Sequence, residues 1–178
     1  MNTVCGSMYL TFCLQELELQ HSRISSISAL RLERFPRLIR LGLRQNAISA
    51  IELPEQLAPI LQELELYDNL ISHIKGLEDF TELRSLDLSY NKIKHIKRVD
   101  HLKKVDHLYF VQNKISKIEG LEGLDSLTYL ELGANRIRVC HSSRTNSRKI
   151  MLTSSSGDRR PRNTDNARTT LAWPKQDY

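Results

Sequence analysis

The feature that most constrains this chain is a repeat of apolar residues with a period close to 22. Aligning the chain on each leading apolar residue gives LQELELQHSRISSI from Leu14, LIRLGLRQNAISAI from Leu38 and LQELELYDNLISHI from Leu61. LRSLDLSYNKIKHI from Leu83, VDHLYFVQNKISKI from Val105 and LTYLELGANRIRVC from Leu127 follow. Successive starts lie 24, 23, 22, 22 and 22 residues apart. Six units share LxxLxLxxNxIxxI, and several positions recurring together at one period make a strong signal.

Each position of the repeat has a physical reason. The LxL triplet alternates inward leucines with an outward residue, the period of a short strand. The asparagines that follow (Asn46, Asn69, Asn91, Asn113 and Asn135) sit where the chain must turn inward. A buried amide there can satisfy backbone groups of its own coil and of its neighbour. Ser22 takes this place in the first unit, a weaker rung suited to an edge repeat. Beyond the asparagine, apolar residues recur every three positions, as in Ile93, Ile96, Val99 and Leu102. That spacing suits a short helical or 3₁₀ arc on the convex side. No single unit can bury its own apolar face, so the units must stack. The fold class read from the pattern is an α/β solenoid of the leucine-rich-repeat type with about six units. Its parallel strands line the concave face at about 4.8 Å spacing.

The units divide the chain into three parts. Residues 1–13 form an irregular N-terminal segment and a candidate partial cap, 14–139 the solenoid, and 140–178 a basic tail. The tail is rich in Ser, Arg, Asn and Thr and poor in apolar residues, so disorder is expected of it. The sixth unit ends in Ile137 and Cys140 with no cap behind it, and a truncated chain is the corresponding expectation. The net charge of +5 belongs to the tail. Up to Val139 there are 18 basic and 18 acidic residues, and beyond it 8 and 3. The basic balance therefore does not describe what the body binds.

Other function classes find little support. No apolar run approaches the roughly 20 residues of a membrane span. No basic residue precedes the first apolar run, which argues against a secretory signal. Cys5, Cys13 and Cys140 are an odd set without CxxC spacing, which points to an intracellular, reducing setting, nuclear or cytoplasmic. The histidines (21, 73, 95, 101, 107 and 141) occupy mostly outward positions. His73 and His95 stack one coil apart without a third ligand, so no metal site is expected. No Gly-rich phosphate loop or nucleophile motif occurs, so neither an enzyme, a cofactor nor a small-molecule substrate is expected.

Two surfaces remain. The strand face carries Glu16, Glu18, Glu63, Glu65, Asp87 and Glu131 with Tyr67, Tyr90, Tyr109 and Tyr129 among them. Acidic and tyrosine side chains aligned in stripes suit a basic protein partner. On the other rim Lys92, Lys114 and Arg136 stack one coil apart. A nucleic-acid groove would interleave such a stripe with aromatics. This one reads without them, so a solvated ridge is expected and nucleic acid is not.

The stretch NKISKIEGLEGLDSLTYLELGANRIR, from Asn113 to Arg138, together with LYDN at Leu66–Asn69 and LDLSYN at Leu86–Asn91, resembles the leucine-rich-repeat regulatory subunits of protein phosphatase 1. The resemblance spans about Leu38 to Arg138 and implies a phosphatase regulator that binds the catalytic subunit. It also implies that the contacts come from the residue between the two strand leucines. Here that residue is Asp87, Tyr109 and Glu131, with Glu65 one unit earlier. That family has about twice as many units and a C-terminal cap, both lacking here. The same period occurs in axonemal dynein light chains, so a cytoskeletal adaptor is the alternative.

Overall fold

A computed structural model describes residues 13–137 and the backbone of three short strands beyond them (139–140, 149–152 and 169–171). The residues 1–12, and most of the basic tail, lie outside the described residues.

Each repeat contributes one three-residue strand. These are β1 (Glu16–Glu18), β2 (Arg40–Gly42), β3 (Glu63–Glu65), β4 (Ser85–Asp87) and β5 (His107–Tyr109). A two-residue outer strand, β6 (Lys117–Ile118), precedes the sixth member, β7 (Tyr129–Glu131). β1, β2, β3, β4, β5 and β7 pair in parallel in that order. The six strands therefore bracket five complete turns of a solenoid. The central leucines Leu17, Leu41, Leu64, Leu86, Leu108 and Leu130 stand directly opposite one another. From Leu41 onward they are buried, as is the next stack of Leu43, Leu66, Leu88, Phe110 and Leu132. Ile48, Ile71, Ile93 and Ile115 close the same core from the far side of the turn.

The asparagines staple each coil to the one before it. The Asn91 Oδ1 accepts the Ile71 N–H at 2.9 Å. Its Nδ2 donates to the carbonyls of Leu66, Leu88 and Ser89 at 2.9, 3.1 and 3.0 Å. Asn69 and Asn113 repeat this pattern on Ile48 and Leu43, and on Ile93 and Leu88. These three amides are buried, so no water replaces the bonds. Among the described residues Ser22 makes no such staple: its hydroxyl donates to the nearby Gln20 carbonyl, while its own N–H is held by Asn46.

A second device in the turn is invisible to the motif. The residue just before each asparagine adopts a left-handed backbone: Gln45, Asp68, Tyr90, Gln112 and Ala134, all with φ of 54° or 55°. Only Asp68 is a residue type that favours this region. The outer arc has a comparable point. Gly76 and Gly120 have φ of +88° and +71°, and a Cβ on either would lie within 2.2 Å of the Ile51 or Ile96 carbonyl oxygen.

The convex side is only partly helical. Single 3₁₀ turns occur at Ser28–Leu30, Leu32–Arg34 and Glu55–Leu57. Later arcs are chains of tight turns whose bonds link apolar residues three apart. Phe80 donates to Leu77 and Leu83 to Phe80, and Leu102 and Val105 repeat the arrangement one coil on. On this outer side β6 pairs in parallel with β8 (Val139–Cys140).

The sheet also continues into the tail. β9 (Lys149–Leu152) pairs in parallel with β7, and β10 (Thr169–Leu171) runs antiparallel to β9. Disorder was the expectation for residues 140–178; β9 and β10 are short segments of that stretch, most of which lies outside the described residues. The edge of β7 beyond β5 offers backbone groups to a further strand, and β9 pairs there. Ile150, Met151 and Leu152 form a short apolar run in this otherwise polar stretch.

The ladder yields a stability prediction. Asn91→Ala leaves one buried N–H and three carbonyls without the amide, and should cost about 2–4 kcal/mol. Asn46→Ala, at a partly exposed site, should cost less. Urea denaturation of the two variants should show the Asn91 midpoint falling further; equal midpoints would show that the amide bonds do not set the coil stacking.

Candidate partner-binding face

Because the strands are three residues long with a buried centre, each offers two side chains to the concave face. The first column runs Glu16, Arg40, Glu63, Ser85, His107 and Tyr129. The second runs Glu18, Gly42, Glu65, Asp87, Tyr109 and Glu131. The four residues anticipated as contacts, Glu65, Asp87, Tyr109 and Glu131, are thus consecutive members of one register-aligned column. All four are half-buried.

Their surroundings divide the face in two. Toward the N-terminus, carboxylates already have partners. The Arg40 Nε donates to Glu63 at 3.0 Å, and its Nη1 reaches Glu16 at 3.4 Å. The Arg44 Nε donates to Glu65. The strand face is therefore less uniformly acidic than the carboxylates alone suggested, and the negative charge of Glu65 is partly compensated. Arg40 and Arg44 were present in LIRLGLRQN, but motif reasoning passed over them because neither is a repeat residue.

Toward the C-terminus the face is aromatic with charged margins. The Tyr109 and Tyr129 rings lie 5.3 Å apart at 46°, and the His107 ring is 5.7 Å from Tyr129. The Asp106 carboxylate sits 2.6 Å from the His107 Nδ1. The Tyr129 hydroxyl donates to Glu131 at 3.4 Å. Burial, then the charges of Asp87 and Glu131, push the Tyr109 phenol above its ordinary value. Tyr129 is raised by burial and by Glu131. His107 and Asp106 belong to this cluster and were not singled out from sequence; the sign was that both stand just before the strand leucine Leu108 of the fifth unit.

Asp87 is the most constrained member. Burial, with the nearby Glu65, raises its carboxyl above the ordinary range, against the lowering effect of the Ser89 N–H bond at 2.8 Å and of Arg44. A carboxylate held partly out of water gains from a cation that replaces its lost solvation. The column thus presents rigid aromatic area beside under-solvated carboxylates.

Of the stacked histidines, the His73 Nδ1 pairs with the Ser72 hydroxyl at 2.9 Å and the His95 Nδ1 with Glu119 at 3.2 Å. Among the described residues no group of three or more His, Cys, Asp or Glu could hold a metal ion. No helix among them is long and apolar enough to cross a membrane.

Comparison with known proteins agrees with this geometry. The Leucine Rich Repeat family model matches residues 82–102. The Saccharomyces cerevisiae protein phosphatase 1 regulatory subunit SDS22 is 48% identical over 88 residues, covering 48% of this chain and 26% of that protein. An Arabidopsis thaliana protein phosphatase 1 regulatory inhibitor subunit PPP1R7 homolog is 35% identical over 131 residues, 71% of this chain and 40% of the relative. The Schizosaccharomyces pombe SDS22 is 53% identical over 68 residues, 38% of this chain and 19% of the relative. The chain thus spans less than half the length of the curated relatives it matches. All three names concern phosphatase regulation, and none supports the axonemal alternative. Among solved structures, internalin C2 of Listeria monocytogenes matches with a TM-score of 0.52 at 21% identity, over 78% of this chain and 80% of that one. InlJ from the same organism gives 0.57 at 18% identity, over 76% and 36%. Those identities speak for the fold alone. By fold and by repeat the chain is a leucine-rich-repeat protein, and in sequence it is similar to the regulatory subunits of protein phosphatase 1.

Proposed function

We propose that this chain is a non-catalytic scaffold, working in the cytoplasm or nucleus, that binds the catalytic subunit of protein phosphatase 1 through its concave face. The observation that carries this reading is the column of Asp87, Tyr109 and Glu131 in adjacent strands, flanked by Tyr129 and His107. The names of the sequence relatives supply the partner; the face supplies the means. Docking would place basic and apolar groups of the partner against side chains whose backbone cannot move independently. Little conformational freedom is then lost on binding. Regulation would follow from where the bound subunit is held and what it can still reach. Glu65, already paired with Arg44, is the least committed of the four to a partner.

Calorimetric titration of the purified chain with the purified catalytic subunit tests the reading. The triple change Asp87→Ala/Tyr109→Ala/Glu131→Ala should weaken binding at least about tenfold, with Tyr109 contributing most as the aromatic anchor. Glu119→Ala, on the outer arc, should bind as the parent does. Unchanged affinity in the triple variant would remove the concave column from the interface.

The same site predicts a stability signature. Asp87 has a raised carboxyl pKa in the folded state, so folding favours its protonated form. Its contribution to stability is greatest when the carboxyl is protonated and declines as pH rises through the ordinary carboxylate range, near 4, and on through the raised folded value. Asp87→Asn should therefore melt higher than the parent at neutral pH while binding the catalytic subunit less well, and the gain should vanish below about pH 4. A variant that is less stable than the parent at neutral pH would contradict it.

A further inference from the structure

We propose that the rim just beyond the ladder asparagines is a second docking surface, built for an extended acidic protein segment with an apolar residue at one end. It is separate from the concave column and does not depend on the phosphatase reading. The residues after the ladder asparagines line up across the coils as Ala47, Leu70, Lys92, Lys114 and Arg136, and the last four of these form the stripe. Backbone bonds hold this stripe in register, from Leu70 to Ile48, Lys92 to Ile71, Lys114 to Ile93 and Arg136 to Ile115, all at 2.8 or 2.9 Å.

Two independent observations mark the stripe as more than a solvated ridge. The first is electrostatic. Arg40, Arg44, Arg98, Lys104 and Lys117 all have carboxylate partners. Lys92, Lys114 and Arg136 are exposed and have no ion pair among the described residues; Lys75, Arg84, Lys94 and Lys97 share that property, but the three stripe cations recur at one position on consecutive coils. Like charges stacked on neighbouring coils repel, so the arrangement gains nothing locally and is relieved by an outside anion. The second is apolar. Leu70 and Tyr90 are the large hydrophobic residues left exposed among the described residues, at 42% and 43%. Both lie at the head of this stripe: Leu70 begins it, and Tyr90 stands two positions before Lys92. The Tyr90 ring rests on Tyr67, with centroids 4.7 Å apart, and its backbone holds the left-handed φ of 55° that costs most for a bulky residue. The cations read as a stripe without aromatics in the sequence; in the fold an aromatic pair stands at one end.

The shape of the stripe selects the partner. It is one residue wide in each coil. In the chain, Glu65, Asp87 and Glu131 stand on the strands five residues before Leu70, Lys92 and Arg136, and Glu119 stands on the outer arc five residues after Lys114. A nucleic-acid backbone would have to pass over those carboxylates, and no aromatic stands between the cations for bases to stack on. A single extended peptide fits between the acidic margins, its apolar residue against Leu70 and Tyr90 and its carboxylates along Lys92, Lys114 and Arg136.

The test uses the full chain and fluorescein-labelled synthetic peptides read by polarisation. One carries two leucines followed by six glutamates, one has the reverse order, and one has six glutamates alone; a single-stranded RNA of equal charge is the comparator. At least one leucine-bearing peptide should bind, more weakly as salt rises, and the RNA should bind less well. Lys92→Glu/Lys114→Glu/Arg136→Glu should weaken that peptide at least about tenfold, and Leu70→Ser/Tyr90→Ser about fivefold. The milder Lys92→Ser/Lys114→Ser/Arg136→Ser should fall between, and Asp87→Ala/Tyr109→Ala/Glu131→Ala should not weaken binding. Equal binding by parent and charge-reversed chains would assign the affinity to the basic tail and overturn the proposal. Tighter RNA binding, or equal binding of hexaglutamate, would overturn the assigned partner; absence of all binding would overturn the site.

Discussion

The amide of the ladder asparagine is the interaction on which the rest of the molecule depends. Each of Asn69, Asn91 and Asn113 bonds backbone groups of its own coil and of the preceding one, from a buried position. Leucine stacking alone is non-directional and would tolerate sliding of one coil against the next. Directional bonds at every turn do not. They fix which residue stands opposite which, and that register turns a one-dimensional repeat into a surface with columns.

Once columns exist, the chemistry of a surface is set by what recurs at one position, and neighbouring columns are free to differ. The concave face uses this to place Asp87, Tyr109 and Glu131 side by side, while a column only a few residues further along the chain carries Lys92, Lys114 and Arg136. Charges that cancel in the composition of the body are thus separated in space. The separation is incomplete where a long side chain crosses between columns. Arg40 and Arg44 reach the carboxylates of adjacent coils and quieten the N-terminal half of the concave face, leaving the aromatic half as the distinctive part.

The solenoid, its register and the membership of the concave column were legible because they follow from periodicity, which the pattern of leucines and asparagines encodes directly. The left-handed turn residue was not legible: Gln45, Asp68, Tyr90, Gln112 and Ala134 share no chemistry, and the shape is imposed by the coil around them. Neither were the arginine pairings, since the reach of a guanidinium across columns is decided by side-chain geometry. The strands at Lys149–Leu152 and Thr169–Leu171 escaped for another reason. A short apolar run in a polar tail carries no repeat, and its pairing depends on an open edge several residues upstream. Within the candidate site, the same limit hid His107 and Asp106, which matter only through the rings and charges beside them.

The distribution of local cost also has a logic. In a solenoid each coil touches only its neighbours, so an unfavourable feature in one unit is opposed by the two interfaces around it and by little else. The fourth unit holds both Asp87, whose carboxyl burial raises above its ordinary range, and the bulkiest left-handed residue, Tyr90. It is also the unit whose own asparagine and those on either side are buried, whereas Asn46 and Asn135, nearer the ends, are partly exposed. The strained groups stand where the stapling is tightest. Placed in the first unit, behind Ser22, the same groups would lack a staple of their own, and relaxing the coil would cost less than holding them in place. Position along the ladder therefore limits where such groups can be kept, and the middle of the solenoid is where both surfaces keep theirs.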